Sequence, residues 1–200
     1  PNKAILNDRN CDLIDTYSQI KTAPDALDRA LRNYQKVHSS KFYYALRSAM
    51  PRTSLKRAAR FLYLNRVCFN GIYRVNRRGE FNVPIGSKTA VAYPSKYLEK
   101  VSTYLKVAKL KSGDFAEVLD EARRGDFVYV DPPYTMAHNN NGFIKYNQVL
   151  FSWEDQARLA RAAIAAAKRG AKVFVSNADH AALRELYKVL PHHFRLPRTS

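Results

Sequence analysis

Phe127-Val128-Tyr129-Val130-Asp131-Pro132-Pro133-Tyr134 is the stretch on which the reading of this 200-residue chain turns. Its first four residues are apolar and favour extended backbone, so they predict a short buried strand. Asp131 ends the strand, and the two prolines that follow fix the backbone and remove two N–H donors. In open α/β sheets ligands bind beyond the carboxyl ends of the strands, which makes this tetrapeptide a candidate site. A carboxylate, a proline-fixed carbonyl and an aromatic face suit a planar amine: the acceptors take the amine protons and the ring stacks. With proline at about 5% of residues, a chance Asp-Pro-Pro-Tyr in a chain this long is roughly a one-in-a-thousand event.

Outward from that strand the chain alternates. Downstream, past a polar loop rich in asparagine at Asn139–Asn141, Ser152 predicts a helix N-cap. Glu154 and Asp155 fall in that helix's first turn, Lys168 and Arg169 in its last, and Gly170 stops it, so each charge matches the helix dipole. A strand at Lys172–Ser176 and a helix from about Asp179 to Val189 follow. Upstream come a helix over Lys96–Tyr104, a strand over Val107–Leu110, the loop Ser112-Gly113-Asp114 and a helix over Phe115–Arg123. At the beginning, Lys3–Asn7 reads as a strand closing on Asp8, the residues from Asp8 to Asn10 supply helix-start chemistry, and Leu13, Ile14, Tyr17 and Ile20 then recur at helical spacing. Apolar strands alternating with helices predict the α/β class, with a mostly parallel sheet covered on both faces. Asp8, Asp114 and Asp131 then fall at strand ends. Any one of them reads more readily as a helix cap, but three at successive ends line one edge of the predicted sheet.

Residues 25–68 have room for two or three helices, of which the one behind Thr53-Ser54 is the clearest, with Leu55, Ala58, Ala59 and Leu62 in phase. Residues 69–92 differ. Gly71, Gly79, Pro84 and Gly86 punctuate a stretch in which Arg74, Arg77, Arg78 and Lys88 stand among Phe69, Tyr73 and Phe81. Arg78-Gly79 predicts a turn between two short extended arms. A basic, aromatic-laced hairpin suits nucleic acid, although the same pattern describes an ordinary solvated hairpin. Charge favours the first reading: 34 Lys and Arg against 17 Asp and Glu leave a net +17, which draws polyanions over long range. Cys11 and Cys68 are too few and too scattered for a disulfide framework or a zinc site, so no metal is expected. No apolar run approaches membrane-span length, and no secretory signal is visible; a reducing, cytoplasmic setting is expected.

The residues so far singled out carry a resemblance to a known family. Phe61-Leu62-Tyr63-Leu64-Asn65-Arg66, Phe69-Asn70-Gly71-Ile72-Tyr73-Arg74, Arg78-Gly79-Glu80-Phe81-Asn82-Val83-Pro84 and Asp131-Pro132-Pro133-Tyr134 occur in the order found in DNA adenine-N6 methyltransferases of the Dam type. The resemblance covers nearly the whole chain. It implies a Rossmann-like, S-adenosylmethionine-dependent methyltransferase sheet with an inserted helical and hairpin target-recognition region. The catalytic domain would comprise residues 1–23 and 93–200, and the target-recognition region residues 24–92. It also implies methyl transfer to an adenine flipped out of double-stranded DNA, in a GATC-like site by default, with restriction–modification as one setting. By the same resemblance Asp131, Pro132, Pro133 and Tyr134 are catalytic, and Asp131 also borders the cofactor. Asp8 is expected to hold the cofactor's ribose hydroxyls, and Asp114 and Phe115 its adenine. The DNA-binding set is Phe69, Asn70, Ile72, Arg74, Arg77, Arg78, Pro84 and Lys88.

The chain departs from that pattern in three places. Family members open with a Trp-Ala-Gly-Gly-Lys-like segment and a Phe-x-Gly-x-Gly loop, whereas here the first strand is Lys3–Asn7; the far end, Arg198-Thr199-Ser200, falls before the family's last strands. A methyltransferase truncated at both ends is therefore expected. Ser87 and Lys88 also replace an Arg and a Tyr at the end of the hairpin. Two alternatives stay open: a catalytically dead DNA-binding fragment, and an amino-group methyltransferase acting on RNA, on cytosine N4 or on a glutamine side chain. Carbon-5 methylation of cytosine would require an activated cysteine, and neither Cys11 nor Cys68 lies near the predicted strand-end site.

Overall fold

The computed structural model describes residues 2–76, 78–134 and 151–197; Arg77 and the asparagine-rich loop at Asn139–Asn141 lie outside them. The chain is mixed α/β and divides into two compact units, Pro1–Gly113 and Asp114–Ser200.

In the first unit β1 (Ala4–Asp8) pairs in parallel with β2 (Ala108–Ser112), Asp8 standing opposite Ser112. Helices fill the sequence between them. Asn10 caps α1 (Cys11–Thr22) by accepting from the Leu13 N–H, and Pro24 opens α2 (Pro24–Lys36), where its missing N–H costs nothing. Ser39 caps α3 (Ser40–Ser48), and Thr53 caps α4 (Ser54–Val67), so three helices occupy the region where two or three were expected. α5 (Tyr97–Leu105) leads back into β2. These helices share one core, in which Leu27, Leu31, Tyr43, Ala59, Tyr63 and Val67 are fully buried beside Leu98, Leu105 and Ala108. In that core the Tyr43 hydroxyl donates to the Val83 carbonyl at 2.9 Å. At the surface, exposed Gln35 accepts from the Val91 N–H at 2.6 Å and donates to the Thr89 carbonyl, tying α2 to the segment that follows the hairpin.

The hairpin departs from two clean extended arms. Among the described residues its ladder reduces to two isolated antiparallel bridges, Cys68–Ile85 and Val75–Phe81, and a 3₁₀ turn, Phe69–Gly71, interrupts the first arm. Asn70 sits there at φ 53°, and Pro84 has no N–H to give the ladder. The tip closes as expected, with the Gly79 N–H on the Asn76 carbonyl and Gly79 at φ +78°.

In the second unit β3 (Phe127–Val130) and β4 (Lys172–Val175) pair in parallel, Val130 opposite Val175. Asp114 caps α6 (Phe115–Glu121), which precedes β3. α6 ends short of Arg123 because the chain turns through Arg123–Asp126 with Gly125 at φ +94°. α7 (Trp153–Lys168) connects β3 to β4 and opens with a full capping box between Ser152 and Asp155. α8 (Ala181–Leu186) is shorter than its predicted span, since His180 caps it by accepting from the Ala182 N–H and Tyr187 already leaves helical geometry.

Within this unit the strands' valines and aromatics face opposite ways. Val128, Val130, Val173 and Val175 meet the helices through Leu119, Leu159, Ala160 and Ala163. Phe127, Tyr129 and Phe174 remain 70, 58 and 46% exposed, with Tyr129 and Phe174 stacked at 5.8 Å. Cover on both faces was expected from the unbroken apolar runs. Within this unit the described helices cover one, the face that carries the valines.

Candidate functional site

Asp131, Pro132, Pro133 and Tyr134 leave β3 at its carboxyl end. Pro132 is buried, while Asp131 and Pro133 are exposed and Tyr134 is 37% exposed. The buried ring anchors the segment, and the carboxylate and the phenol ring are left accessible on either side of it. Proline at 132 and 133 also means that the backbone there donates no hydrogen bond, so its carbonyls are the polar groups it offers. This places two acceptor types and an aromatic ring within four consecutive residues at a strand end.

Asp114 and Phe115 are also held in the second unit, and by a residue to which no local pattern points. Arg158, from α7, makes a two-pronged ion pair with Asp114, Nη1 to Oδ1 and Nη2 to Oδ2, both at 2.8 Å. Its guanidinium lies 4.4 Å from the centre of the Phe115 ring, and it also reaches Asp155 at 3.1 Å. Asp114 further accepts from the Ala116 N–H at 2.8 Å, so it acts as the N-cap of α6 as well as an ion-pair partner. The fork geometry fixes the plane of the carboxylate. Because Arg158 and Asp114 are 44 residues apart, no local pattern announces their meeting. The same helix start shapes Asp155: the Ser152 N–H it accepts holds its carboxyl below the usual range, and Arg158 adds to this.

In the first unit Asp8 is exposed at the end of β1, and its Oδ1 accepts from the Asn10 N–H at 2.7 Å. Beside it, the Asn7 amide donates to the Gly113 carbonyl and the Gly113 N–H to the Asp8 carbonyl, which ties the strand end to the loop after β2.

Most hairpin candidates are accessible. Phe69, Asn70, Arg78, Pro84 and Lys88 are exposed, and Ile72 and Arg74 are half-buried. Arg74 is braced across the hairpin, its Nε donating to Asn82 Oδ1 at 2.8 Å. Arg77 lies outside the described residues. The hairpin base is bolted to the helices: Arg47 joins Tyr43 on the Val83 carbonyl, and Gly86 fits against Cys68, where an added Cβ would stand 2.6 Å from the carbonyl oxygen. Against this frame lies a cleft of about 360 Å³, lined by Asp12, Arg47, Arg60, Tyr73, Glu80 and Asn82 among others. Arg60 donates to the Leu46 and Arg47 carbonyls at the end of α3, and its burial lowers the guanidinium pKa.

Among the described residues no group of His, Cys, Asp and Glu is arranged to hold a metal ion, and no helix is long and apolar enough to cross a membrane.

An α/β chain with a strand-end Asp-Pro-Pro-Tyr and a basic hairpin on a helical frame defines a class, and comparison with known proteins gives the same one. The family described as D12 class N6 adenine-specific DNA methyltransferase matches residues 1–198, and the chain belongs to it. It is 40% identical over 197 residues to a type II methyltransferase, M1.LlaDCHI, of Lactococcus lactis subsp. cremoris, covering 94% of this chain and 69% of that protein. A DNA N-6-adenine-methyltransferase of Escherichia phage P1 is 38% identical over 187 residues, 92% of this chain and 25% of its own length. A DNA adenine methylase of Vibrio cholerae serotype O1 is 34% identical over 189 residues, 92% of this chain and 68% of its own length.

Proposed function

We propose that this chain carries the base-binding and DNA-reading machinery of a site-specific DNA adenine-N6 methyltransferase that uses S-adenosylmethionine as methyl donor and acts within a GATC-like site. The observation that carries the reading is the Asp131–Tyr134 segment, with Pro132 buried and Asp131 and Tyr134 accessible at the carboxyl end of β3. A Rossmann-like sheet follows from the same reading, and parallel pairing in both β1–β2 and β3–β4 supports it.

The adenine amine is a poor nucleophile because its lone pair is delocalised into the purine. Asp131 and the Pro132 carbonyl each accept a hydrogen bond from one N6–H, which favours a tetrahedral nitrogen and localises that lone pair. Tyr134 stacks on the flipped base and returns part of the few kcal/mol that unstacking costs. Asp131 need not be a strong base, since the N6 proton becomes acidic once the new carbon–nitrogen bond forms. S-adenosylmethionine supplies an electrophilic methyl group. The donor chemistry suits such a nucleoside: Asp8 offers an exposed carboxylate for the ribose hydroxyls, and Asp114 and Phe115 offer a fixed carboxylate and a ring for the purine. Phe69, Asn70, Ile72, Arg74, Arg77, Arg78, Pro84 and Lys88 are assigned to DNA, with residues 24–92 as the target-recognition region.

Asp131→Ala tests the mechanism. Methyl transfer measured with labelled donor is expected to fall at least about a hundredfold, the usual weight of a proton-handling group, with DNA binding largely kept. A variant that retains most of the wild-type rate would refute the assignment.

A further inference from the structure

Buried polar side chains in native proteins almost always find partners, so the exceptions need a reason. In the second unit two side-chain amides are exceptions: Gln156 Oε1 and Nε2, and Asn177 Nδ2, are shielded from water and unpartnered. Both belong to the end of the unit where the Asp131–Tyr134 segment lies. Asn177 stands two residues past the end of β4 as Pro132 stands two past the end of β3, and these strands are in parallel register with Val130 opposite Val175. The register continues past the strands, with the Ser176 N–H on the Val130 carbonyl at 2.9 Å. Neighbouring strands are about 4.8 Å apart, so the Asn177 amide is within a side chain's reach of a base held at Asp131 and Pro132.

Asn177 is also oriented. Its Oδ1 accepts from the Ala178 N–H at 2.9 Å, which directs Nδ2 away and leaves it as a donor. Gln156 has no such tether, and its side chain is wholly buried. A flipped base is read along its Watson–Crick edge. On that edge adenine carries, beside the amine, the ring acceptor N1, whereas guanine and thymine carry a ring N–H at the equivalent place. Asp131 and Pro132 are acceptors and serve the amine alone. The edge still lacks a donor for the ring nitrogen.

Resting on the adenine-methyltransferase reading, we propose that Asn177 is a base-reading residue whose Nδ2 donates to N1 of the flipped adenine, so that a base with a ring N–H there is refused. The interaction pairs an amide that is otherwise unsatisfied and makes the strand-end site selective for an amine flanked by an acceptor.

The test combines variants of the full-length protein with duplexes carrying adenine, 1-deazaadenine or 7-deazaadenine at the target position, reading kcat/KM for methyl transfer. Wild type should lose roughly tenfold on 1-deazaadenine, where N1 becomes C–H, and little on 7-deazaadenine. Asn177→Ala and Asn177→Ser should lose a similar factor on adenine and little further on 1-deazaadenine, since the contact is already gone. Gln156→Met should show no such coupling. Losses that multiply, coupling to Gln156 instead, or a wild type that uses 1-deazaadenine as well as adenine would each overturn the proposal and leave the methyltransferase reading intact. A wild-type protein that transfers no methyl group to adenine would instead overturn that reading, and this proposal with it.

Discussion

Single residues at the hairpin are bound by two different constraints, one chemical and one steric. Arg74 is half-buried and braced by Asn82, so its guanidinium is presented in a limited set of directions, which suits a base edge better than a diffuse phosphate contact. Arg74→Ala should therefore cost roughly 1–3 kcal/mol of discrimination between target and non-target duplexes. Titrating both duplexes at two salt concentrations checks this, because loss of a phosphate contact would lower both affinities together and flatten the salt dependence. Gly86 is limited by space. A Cβ there would press on the Cys68 carbonyl oxygen at 2.6 Å, and backbone cannot yield as a side-chain tip can. Gly86→Ala should destabilise the first unit by about 1–3 kcal/mol, read as a lower urea midpoint, by forcing the hairpin base off α4.

At the scale of the element, α7 does more than connect β3 to β4. Its first turn concentrates the capping box, the Asp155–Arg158 contact and the Arg158–Asp114 pair, so one helix start fixes both its own end and the carboxylate proposed for the cofactor's purine. Asp155 titrates below its ordinary value because the Ser152 N–H and then Arg158 favour the ionised form. A carboxylate depressed on folding adds stability above its unfolded pKa, near about 4, and loses it as pH falls through the folded value. Unfolding followed from pH 6 down to about pH 2 should show the difference between wild type and Asp155→Asn constant at the upper end and shrinking below about pH 4. A difference that holds steady throughout would mean the capping carboxylate contributes through shape alone.

For the molecule as a whole, charge is the dominant property. A net +17 on 200 residues supplies sequence-independent attraction to DNA that weakens as salt rises. Arg78 and Lys88 are exposed on the hairpin and are the simplest candidates for phosphate contacts there. Each such contact contributes about 0.9 to the slope of log affinity against log salt, so replacing both with alanine should lower its magnitude by roughly two. Non-specific duplexes measured across a salt series give that slope directly. An unchanged slope would move both side chains off the phosphates.

Local chemistry was open to reading in the sequence because it is written in neighbouring residues. The caps at Asn10, Thr53, Asp114 and Ser152 stand where a side-chain oxygen and helical spacing require them, and β3 runs over Phe127–Val130 as its apolar, extended-favouring residues predict. Asp131-Pro132-Pro133-Tyr134 announced itself for the same reason, its meaning lying in four consecutive positions. Contacts between distant positions were settled only by folding. Arg158 meets Asp114 across 44 residues, Tyr43 reaches the Val83 carbonyl across 40, and among the described residues the hairpin keeps two isolated bridges where two short extended arms were expected. Nothing in the residues around Asn177 sets it apart; what does is tertiary, the in-register pairing of β4 with β3 and the shielding of its amide without a partner. A helix cap depends on a few adjacent dihedrals, but which side chains meet at a strand end depends on how sheet and helices pack, and no short window of sequence contains that.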